Sequence, residues 1–107
     1  MANTFKNALA RNVGTSAVTV YSAPSSKNSI CIELDVCNTT NSGVTVDAYI
    51  TSSSANYYIV KGAPVPVGGS LQIIAGQKIV LANTDALKVV SSTASSLDVI
   101  ASILEDV

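Results

Sequence analysis

The 107-residue chain contains no histidine, which removes the commonest general base and metal ligand and the usual partner of a catalytic serine or cysteine. Tryptophan is also absent, so no indole ring is available to stack on a sugar. Gly68-Gly69-Ser70 is not a phosphate-binding loop, because it lacks the following lysine and precedes a predicted strand rather than a helix. These absences predict a protein that is not an enzyme and that holds no cofactor and no metal ion.

Charged residues are scarce, at 12% of the chain against about 25% in a typical soluble protein. The net charge is −1, and the basic residues are scattered singly, so no cluster is suited to track a nucleic-acid backbone. A surface with so few charges is poor at keeping monomers apart and favours a chain that works in an assembly. A neutral, soluble β domain is the alternative interpretation.

Long apolar runs are missing as well. No stretch approaches the roughly 20 apolar residues of a membrane span, and residues 1–11 show no signal-peptide pattern. We therefore expect a protein made in the cytoplasm of its producing cell, with no membrane partner.

Only two cysteines are present, Cys31 and Cys37, six residues apart in one predicted strand. In a regular strand both lie on one face, with Cα atoms roughly 20 Å apart, whereas a disulfide requires about 7 Å or less. They are therefore not expected to pair with each other. Two hypotheses remain: reduced thiols, or a bond to a neighbouring subunit formed in an oxidising medium.

What the sequence does contain is alternation with a period of two, strongest between Ser29 and Thr51. Two alternating runs flank the turn-forming segment 38–43, which predicts a β-hairpin with one apolar face. The residues predicted to fill the core from this hairpin are Ile32, Leu34, Val46 and Ile50. The opposite parity of the first run, Cys31, Glu33, Asp35 and Cys37, is predicted to form a solvated or interface-facing surface.

Glu33 and Asp35 are the most suggestive pair of carboxylates in the chain. Same-face neighbours on a strand have Cβ atoms about 7 Å apart, a spacing that a glycosidase could use. Because nothing around them resembles a sugar-binding platform, the surface interpretation is favoured over the catalytic one.

Turn signals recur every 8–12 residues along the whole chain, and they separate about eight short predicted strands. This pattern predicts an all-β, single-domain antiparallel β-sandwich spanning 12–107. Residues 1–11 are expected to form an N-terminal arm, either a short strand or a helical turn. Gly76-Gln77 is read as a tight turn between strands at 71–75 and 78–81.

Residues 97–104 fit a strand and a helix, and their branched side chains favour the strand. In a strand, Leu97, Val99, Ala101 and Ile103 would share one apolar face and Ile100 and Leu104 would lie on the other. A strand that is apolar on both faces is usually covered on both. The second face would meet a neighbouring subunit or a larger particle, or else be roofed by Phe5 and Leu9 of the arm.

Several stretches in order carry a family resemblance. They are 5–8 (FKNA), 13–16 (VGTS), 20–24 (VYSAP), 44–47 (VTVD), 64–71 (PVPVGGSL), 78–81 (KIVL), 90–92 (VSS) and 97–105 (LDVIASILE). With these motifs the chain resembles a family of small virion structural proteins of tailed bacteriophages, including cyanophages. The resemblance implies a non-enzymatic particle component present in many copies on the capsid, neck or tail. The two cysteines are not part of the family pattern, so it implies no role for them.

The resulting hypothesis is a virion accessory protein, made in the host cytoplasm, that decorates or reinforces the particle as a homo-oligomer, a trimer or other ring. Its partners would be further copies and other virion proteins. The candidate interface residues are Cys31, Glu33, Asp35, Cys37, Ile100 and Leu104. The rival hypothesis is a receptor- or glycan-binding module of a collar or tail fibre, which would use Tyr49, Tyr57 and Tyr58.

Overall fold

A computed structural model of the chain describes residues 4–105, apart from the side chains at positions 76 and 77. Its strands are β1 (Thr4–Val13), β2 (Val18–Ser22), β3 (Ser29–Asn38), β4 (Val44–Ser52), β5 (Ala55–Val65), β6 (Ser70–Leu81), β7 (Ala86–Ser91) and β8 (Leu97–Glu105). The first sheet has the order β1-β8-β3-β6 and the second sheet has the order β2-β7-β4-β5. All neighbouring strands are antiparallel. The predicted antiparallel β-sandwich is confirmed.

The core lies between the two sheets, and alternation decides which side chains enter it. The largest fully buried side chains include Leu34, Ile74, Leu81, Leu87, Leu97 and Ile103. In β8 the predicted inner parity, from Leu97 to Ile103, is buried at every position. Residues 97–105 are therefore a strand, and its other parity points away from the core. No helix within residues 4–105 is long and apolar enough to cross a membrane.

The predicted core of the β3–β4 pair is right for Leu34 and Val46 but needs correction at Ile32. The register of β3 shifts between Cys31 and Glu33 against both of its neighbours. Such a bulge adds one residue and exchanges the faces of the residues on its two sides. Cys31 consequently lies in the core, Ile32 is only half-buried, and Ile50 packs against the edge of the core.

The expected tight turn at Gly76-Gln77 is not formed. The strand β6 continues through these residues and pairs with β3 on both sides of them, Ala75 with Glu33 and Ile79 with Cys31. The intervening residues face the bulge of β3, and Lys78 adopts a φ of 61° there. The glycine signal thus marks a distortion within one long strand, which is the other structure that glycine commonly allows in a strand.

The boundary expected between an arm at 1–11 and a domain at 12–107 falls inside β1. This strand pairs with β8 from Thr4 opposite Glu105 to Val13 opposite Leu97. Residues 4–11 are therefore an edge strand of the first sheet, because the main chain of β8 offers them hydrogen-bonding partners along most of their length. Residues 1–3 lie outside the described part of the chain.

A polar cluster joins the two sheets at one end of the core. The buried Tyr21 of β2 has its hydroxyl 2.8 Å from Ser29 Oγ of β3 and also donates to the Glu105 carboxylate of β8. Lys6 Nζ lies 3.6 Å from Glu105 Oε2. Burial and the bond to Glu105 raise the pKa of Tyr21 to about 12. The hydrogen bond from Tyr21, with the nearby charge of Lys6, lowers the pKa of Glu105.

Candidate functional site

The outer face of the first sheet carries an apolar row that crosses all four strands. Strand pairing places Phe5 opposite Leu104, Leu104 opposite Ile30, and Ile30 opposite Val80. Phe5 is 75% exposed and Val80 is 64% exposed. Cross-strand neighbours on one face contact each other, so these four side chains form a continuous strip, here called the apolar row.

A second pair of large apolar side chains lies on the same face towards the other end of the strands. Leu9 of β1 is opposite Ile100 of β8, and the two are 66% and 54% exposed. A shallow pocket of about 350 Å³ adjoins them, and Arg11 and Asp98 also line it. This Leu9–Ile100 pair extends the apolar surface along the β1–β8 edge.

Phe5 and Leu9 lie beside Leu104 and Ile100 in the same sheet. They therefore widen the outer face and do not roof it, which removes one of the two explanations offered for the second apolar parity of β8. Within residues 4–105 nothing else covers Ile100, which remains more than half exposed. Contiguous exposed apolar surface rimmed by polar residues is typical of a protein interaction site.

Two carboxylates interrupt this apolar surface near its centre. Glu33 is opposite Ser102 of β8, and Asp35 is opposite Ile100. A hydrogen bond with Asp35 and the charge of Asp35 raise the pKa of the Glu33 carboxyl. One oxygen of Asp35, Oδ1, is buried and has no hydrogen-bond partner among the described residues. One oxygen of the carboxylate pair thus lacks a donor within the described part of the chain.

The structure divides the predicted interface residues. Glu33, Asp35, Cys37, Ile100 and Leu104 lie on the outer face of the first sheet, as their register shows. Whether they contact another protein stays a prediction.

Cys31 does not belong to that set, because the bulge in β3 turns it into the core. Burial raises the pKa of its thiol to about 11, and the thiol donates to the carbonyl oxygen of Glu33 at 3.5 Å. Both cysteines are free, Cys31 buried and Cys37 exposed. Of the two, only Cys37 is placed to meet a neighbouring subunit.

The interface residues predicted from the sequence did not include four apolar residues of this face, Phe5, Leu9, Ile30 and Val80. Phe5 and Leu9 share one parity with Asn7 in the edge strand β1. That alternation was visible in the sequence, but its place beside β8 depends on the pairing of the first strand with the last. Within residues 4–105 no group of three or more histidine, cysteine or acidic residues could hold a metal ion.

The outer face of the second sheet has a different chemistry. Tyr49 and Tyr58 pack with ring centroids 4.9 Å apart, and Lys61 Nζ lies 4.4 Å from the centre of the Tyr58 ring. Lys88 is opposite Tyr49 in the register of β7 and β4. Tyr57 precedes Tyr58 in β5 and points to the opposite side. Because Tyr49 is also largely buried, the three tyrosines do not form one platform.

Comparison with known proteins gives a likeness in fold. No family model matches the chain, and no curated protein matches it. A mutant VP2 protein of infectious bursal disease virus, from derived T=1 particles, has a TM-score of 0.61 to this chain at 13% identity. The match covers 96% of this chain and 31% of that one. The structure of the Gt strain of the same virus gives a TM-score of 0.47 at 12% identity, over 98% of this chain and 30% of that chain.

This chain therefore spans about a third of the length of the viral chains that it resembles. At this level of identity the likeness to the VP2 protein establishes the sandwich fold.

Proposed function

We propose that the protein is a non-enzymatic structural component of a virus particle, and specifically an accessory protein of a tailed bacteriophage. It would decorate or reinforce the capsid, the neck or the tail as a homo-oligomer present in many copies. It would be made in the host cytoplasm and carried on the virion.

The observation that carries this proposal is the exposed apolar surface of the first sheet. The apolar row and the Leu9–Ile100 pair expose several large apolar side chains on one face. A monomeric soluble domain usually exposes fewer of them together. Burying such side chains against neighbours favours association in proportion to the apolar area removed from water. Many identical contacts acting together would hold a small subunit firmly on a particle.

Two further observations support the viral setting. The similar VP2 protein comes from particles of a virus, and the likeness spans nearly all of this chain. The motifs quoted above, from residues 5–8 to residues 97–105, resemble those of phage virion proteins in the same order.

A reconstitution experiment tests it. Purified protein is added to phage particles made without it, and bound protein is measured by sedimentation of the particles and quantitative mass spectrometry. We expect saturable binding at a fixed number of copies per particle, and immunogold labelling would then locate it on the capsid, neck or tail. Absence of the protein from wild-type particles, together with failure to bind the depleted ones, would contradict the proposal.

The rival function, recognition of a receptor or glycan, receives less support from the geometry. Tyr58 is half-exposed, but Tyr49 is largely covered and Tyr57 lies on the other side of β5. Lys61 Nζ lies 4.4 Å from the centre of the Tyr58 ring, so its ammonium group covers one face of the ring. A glycan-array screen that finds a ligand whose binding is abolished by Tyr58→Ala would revive this function.

A further inference from the structure

We propose that copies of this chain associate head to tail, with the outer face of the first sheet of one copy packed on the outer face of the second sheet of the next. This contact deepens the proposed function and rests on its homo-oligomer. The exposed apolar surface would be covered by a second copy of the chain, through the outer face of that copy's second sheet.

The outer face of the first sheet is acidic. Glu33 and Asp35 lie near its centre, while Asp98 and Arg11 line the shallow pocket at its β1–β8 edge. Asp98 accepts a hydrogen bond from the backbone N–H of Asn12 at 3.2 Å. Lys78 of β6 is also exposed and shares the parity of the outward-facing Val80. Among the described residues this face therefore carries three carboxylates against two basic groups. No ion pair joins the central pair to a basic group among the described residues, and Asp35 there has an unpartnered oxygen.

The outer face of the second sheet carries the complementary charge. Lys61 and Lys88 lie on either side of the Tyr49–Tyr58 pair. The one carboxylate between these strands, Asp47, accepts the backbone N–H of Gly62 at 2.7 Å. In the part of the chain described, this face thus carries two ammonium groups and one carboxylate, and that carboxylate already accepts a hydrogen bond.

The lysines are also suited to an apolar partner. Each lysine side chain has a long aliphatic stem below its ammonium group, and such stems cover apolar surface while the charge stays near water or a counter-ion. The exposed ring of Tyr58 adds apolar area, and tyrosine is enriched in interface cores. Stems and ring would pack on the apolar row and the Leu9–Ile100 pair, while the ammonium groups reach Glu33 and Asp35.

The second sheet has the smaller face and limits the contact. Its strands hold 31 residues against 41 in the first sheet. With strands about 4.8 Å apart and about 3.3 Å per residue, the two faces span about 490 and 650 Å² before side-chain relief is counted. A standard stable interface buries about 800 Å² on each partner. Contact over the whole of the smaller face therefore supplies more than half of that area, whereas contact through one row supplies only a small part of it.

The alternative pairings of identical faces are less favourable. Two copies joined through their first sheets would bring two Glu33–Asp35 pairs into one apolar interface, where like charges repel strongly. Two copies joined through their second sheets would bring four lysines together. Head-to-tail contact is heterologous, so it closes into a ring when the rotation between copies allows it and otherwise grows as a filament.

Charge reversal on each face tests the pairing. In the first variant Glu33→Lys and Asp35→Lys make the first face basic, and in the second variant Lys61→Glu and Lys88→Glu make the second face acidic. Sedimentation velocity measures self-association. Each variant alone should associate at least about tenfold more weakly than wild type, since each now opposes like charges. Lys27→Glu, in the loop between β2 and β3, is the control and should associate normally.

The decisive measurement is the rescue. In an equimolar mixture of the two variants, the two unchanged faces can pair as in wild type, and the two reversed faces can pair with exchanged charges. The mixture should therefore associate like wild type. A chain with all four reversals should associate with itself. Normal association of the Lys61→Glu, Lys88→Glu variant would overturn the proposal, because joining through the first sheets leaves those lysines free. Weak association without rescue would also overturn it.

Circular dichroism and thermal unfolding verify that each variant is folded. If the lysine pair at positions 33 and 35 prevents folding, Glu33→Gln with Asp35→Asn replaces it. This variant should associate weakly with itself, and mixing it with the second variant should restore only the native contact, between the first face of the second variant and the second face of the neutral one. A wild-type protein that remains monomeric at millimolar concentration would contradict the head-to-tail contact. These outcomes are separate from the particle-binding test, so a protein that associates head to tail but does not bind particles would contradict the virion function alone.

Discussion

The two sheets of this sandwich are alike on their inner faces and different on their outer faces. Inside, both present small and medium aliphatic side chains such as Leu34 and Leu87, fully buried. Outside, the first sheet carries the apolar row around a pair of carboxylates, while the second carries two lysines beside a tilted pair of tyrosines. The inner faces have one requirement in common, which is to fill a single core.

The outer faces have no such common requirement, so the chemistry of each one reflects the solvent or partner surface that it contacts. A solvated face on both sides would be expected to be polar and similarly mixed in charge. Here one face is apolar and acidic and the other is aromatic and basic, which is the relation expected of two halves of one contact.

The largest effect is expected at the matched inner positions of the two sheets. Leu34→Ala in β3 and Leu87→Ala in β7 each remove a fully buried side chain. Each should lower the free energy of unfolding by about 2–5 kcal/mol, because the cavity adds to the lost burial. Denaturant unfolding measures it, and a loss below about 1 kcal/mol at either position would break the equivalence of the inner faces.

The outer parity of β8 gives the sharpest contrast with its inner parity. Ile100→Asp should leave the domain folded, with the free energy of unfolding changed by less than about 1 kcal/mol, since the side chain is largely exposed. Association and particle binding should be lost, because the charge would enter an apolar contact.

Val67→Asp is the matched control for Ile100→Asp. Val67 lies in the loop between β5 and β6 and is 56% exposed, almost the same as Ile100. This variant should fold and associate like wild type. Equal behaviour of the two variants in sedimentation velocity would remove the special role given to the outer face of the first sheet.

A smaller effect is expected where a polar link joins the two sheets. Tyr21→Phe leaves Ser29 and Glu105 without its hydroxyl and should lower the free energy of unfolding by about 1–2 kcal/mol. Because the folded-state pKa of Glu105 is lowered, its contribution is present above the ordinary carboxyl pKa of about 4.3 and is lost as pH falls through the folded value.

The difference between wild type and Tyr21→Phe should therefore be constant from about pH 5 to pH 9 and shrink at lower pH. The Tyr21 pKa is raised to about 12, so the same difference should also shrink as pH rises from the ordinary tyrosine value of about 10 towards that value. Unfolding curves across this range check it. A difference independent of pH would contradict the assigned bond between Tyr21 and Glu105.

The least perturbing comparison uses the two cysteines, which lie on opposite faces of one strand. A thiol reagent at pH 8 should label Cys37 in the native protein and leave Cys31 unlabelled, because Cys31 is buried and its thiol pKa is raised to about 11. Both should react in denaturant. Equal native labelling rates, measured by intact mass spectrometry, would contradict the bulge that turns Cys31 inwards.

The alternation of apolar residues was sufficient to predict the sandwich and much of its core. Leu34, Val46 and the inner parity of β8 are buried as the period of two predicts. Alternation could predict these positions because a strand covered by another sheet must place its apolar side chains on one side.

The bulge at Ile32 and the distortion at 76–78 could not be predicted in the same way. They face each other in the pairing of β3 with β6, so each depends on a partner strand about forty residues away. Nothing in the local sequence at Ile32 distinguishes a bulge from a regular strand. Gly76 did give a local signal, but glycine permits both a turn and a bulge, and only the pairing decides between them.

The candidate site was predicted in part for a related reason. Glu33, Asp35 and Ile100 could be assigned to outer faces from parity alone. Their assembly with Phe5, Leu9 and Val80 into one surface required the order of strands in the sheet, in which the first strand lies beside the last. That order is a property of the whole fold, so a strand-by-strand interpretation of the sequence does not contain it.

Zero-length cross-linking tests the complementarity of the two outer faces most directly. Unlabelled and ¹⁵N-labelled protein are mixed, allowed to exchange subunits and treated with a carbodiimide, which joins carboxylates to amines in contact. Within one chain, Lys61 and Lys88 lie on the outer face of the second sheet, and Glu33 and Asp35 lie on the outer face of the first. Packed sheets are about 10 Å apart and these side chains point in opposite directions, so the reagent cannot join them within one chain. We predict mixed-isotope peptide pairs that link Lys61 or Lys88 to Glu33 or Asp35. An associated sample whose intersubunit links join other residues, and never these, would contradict the account.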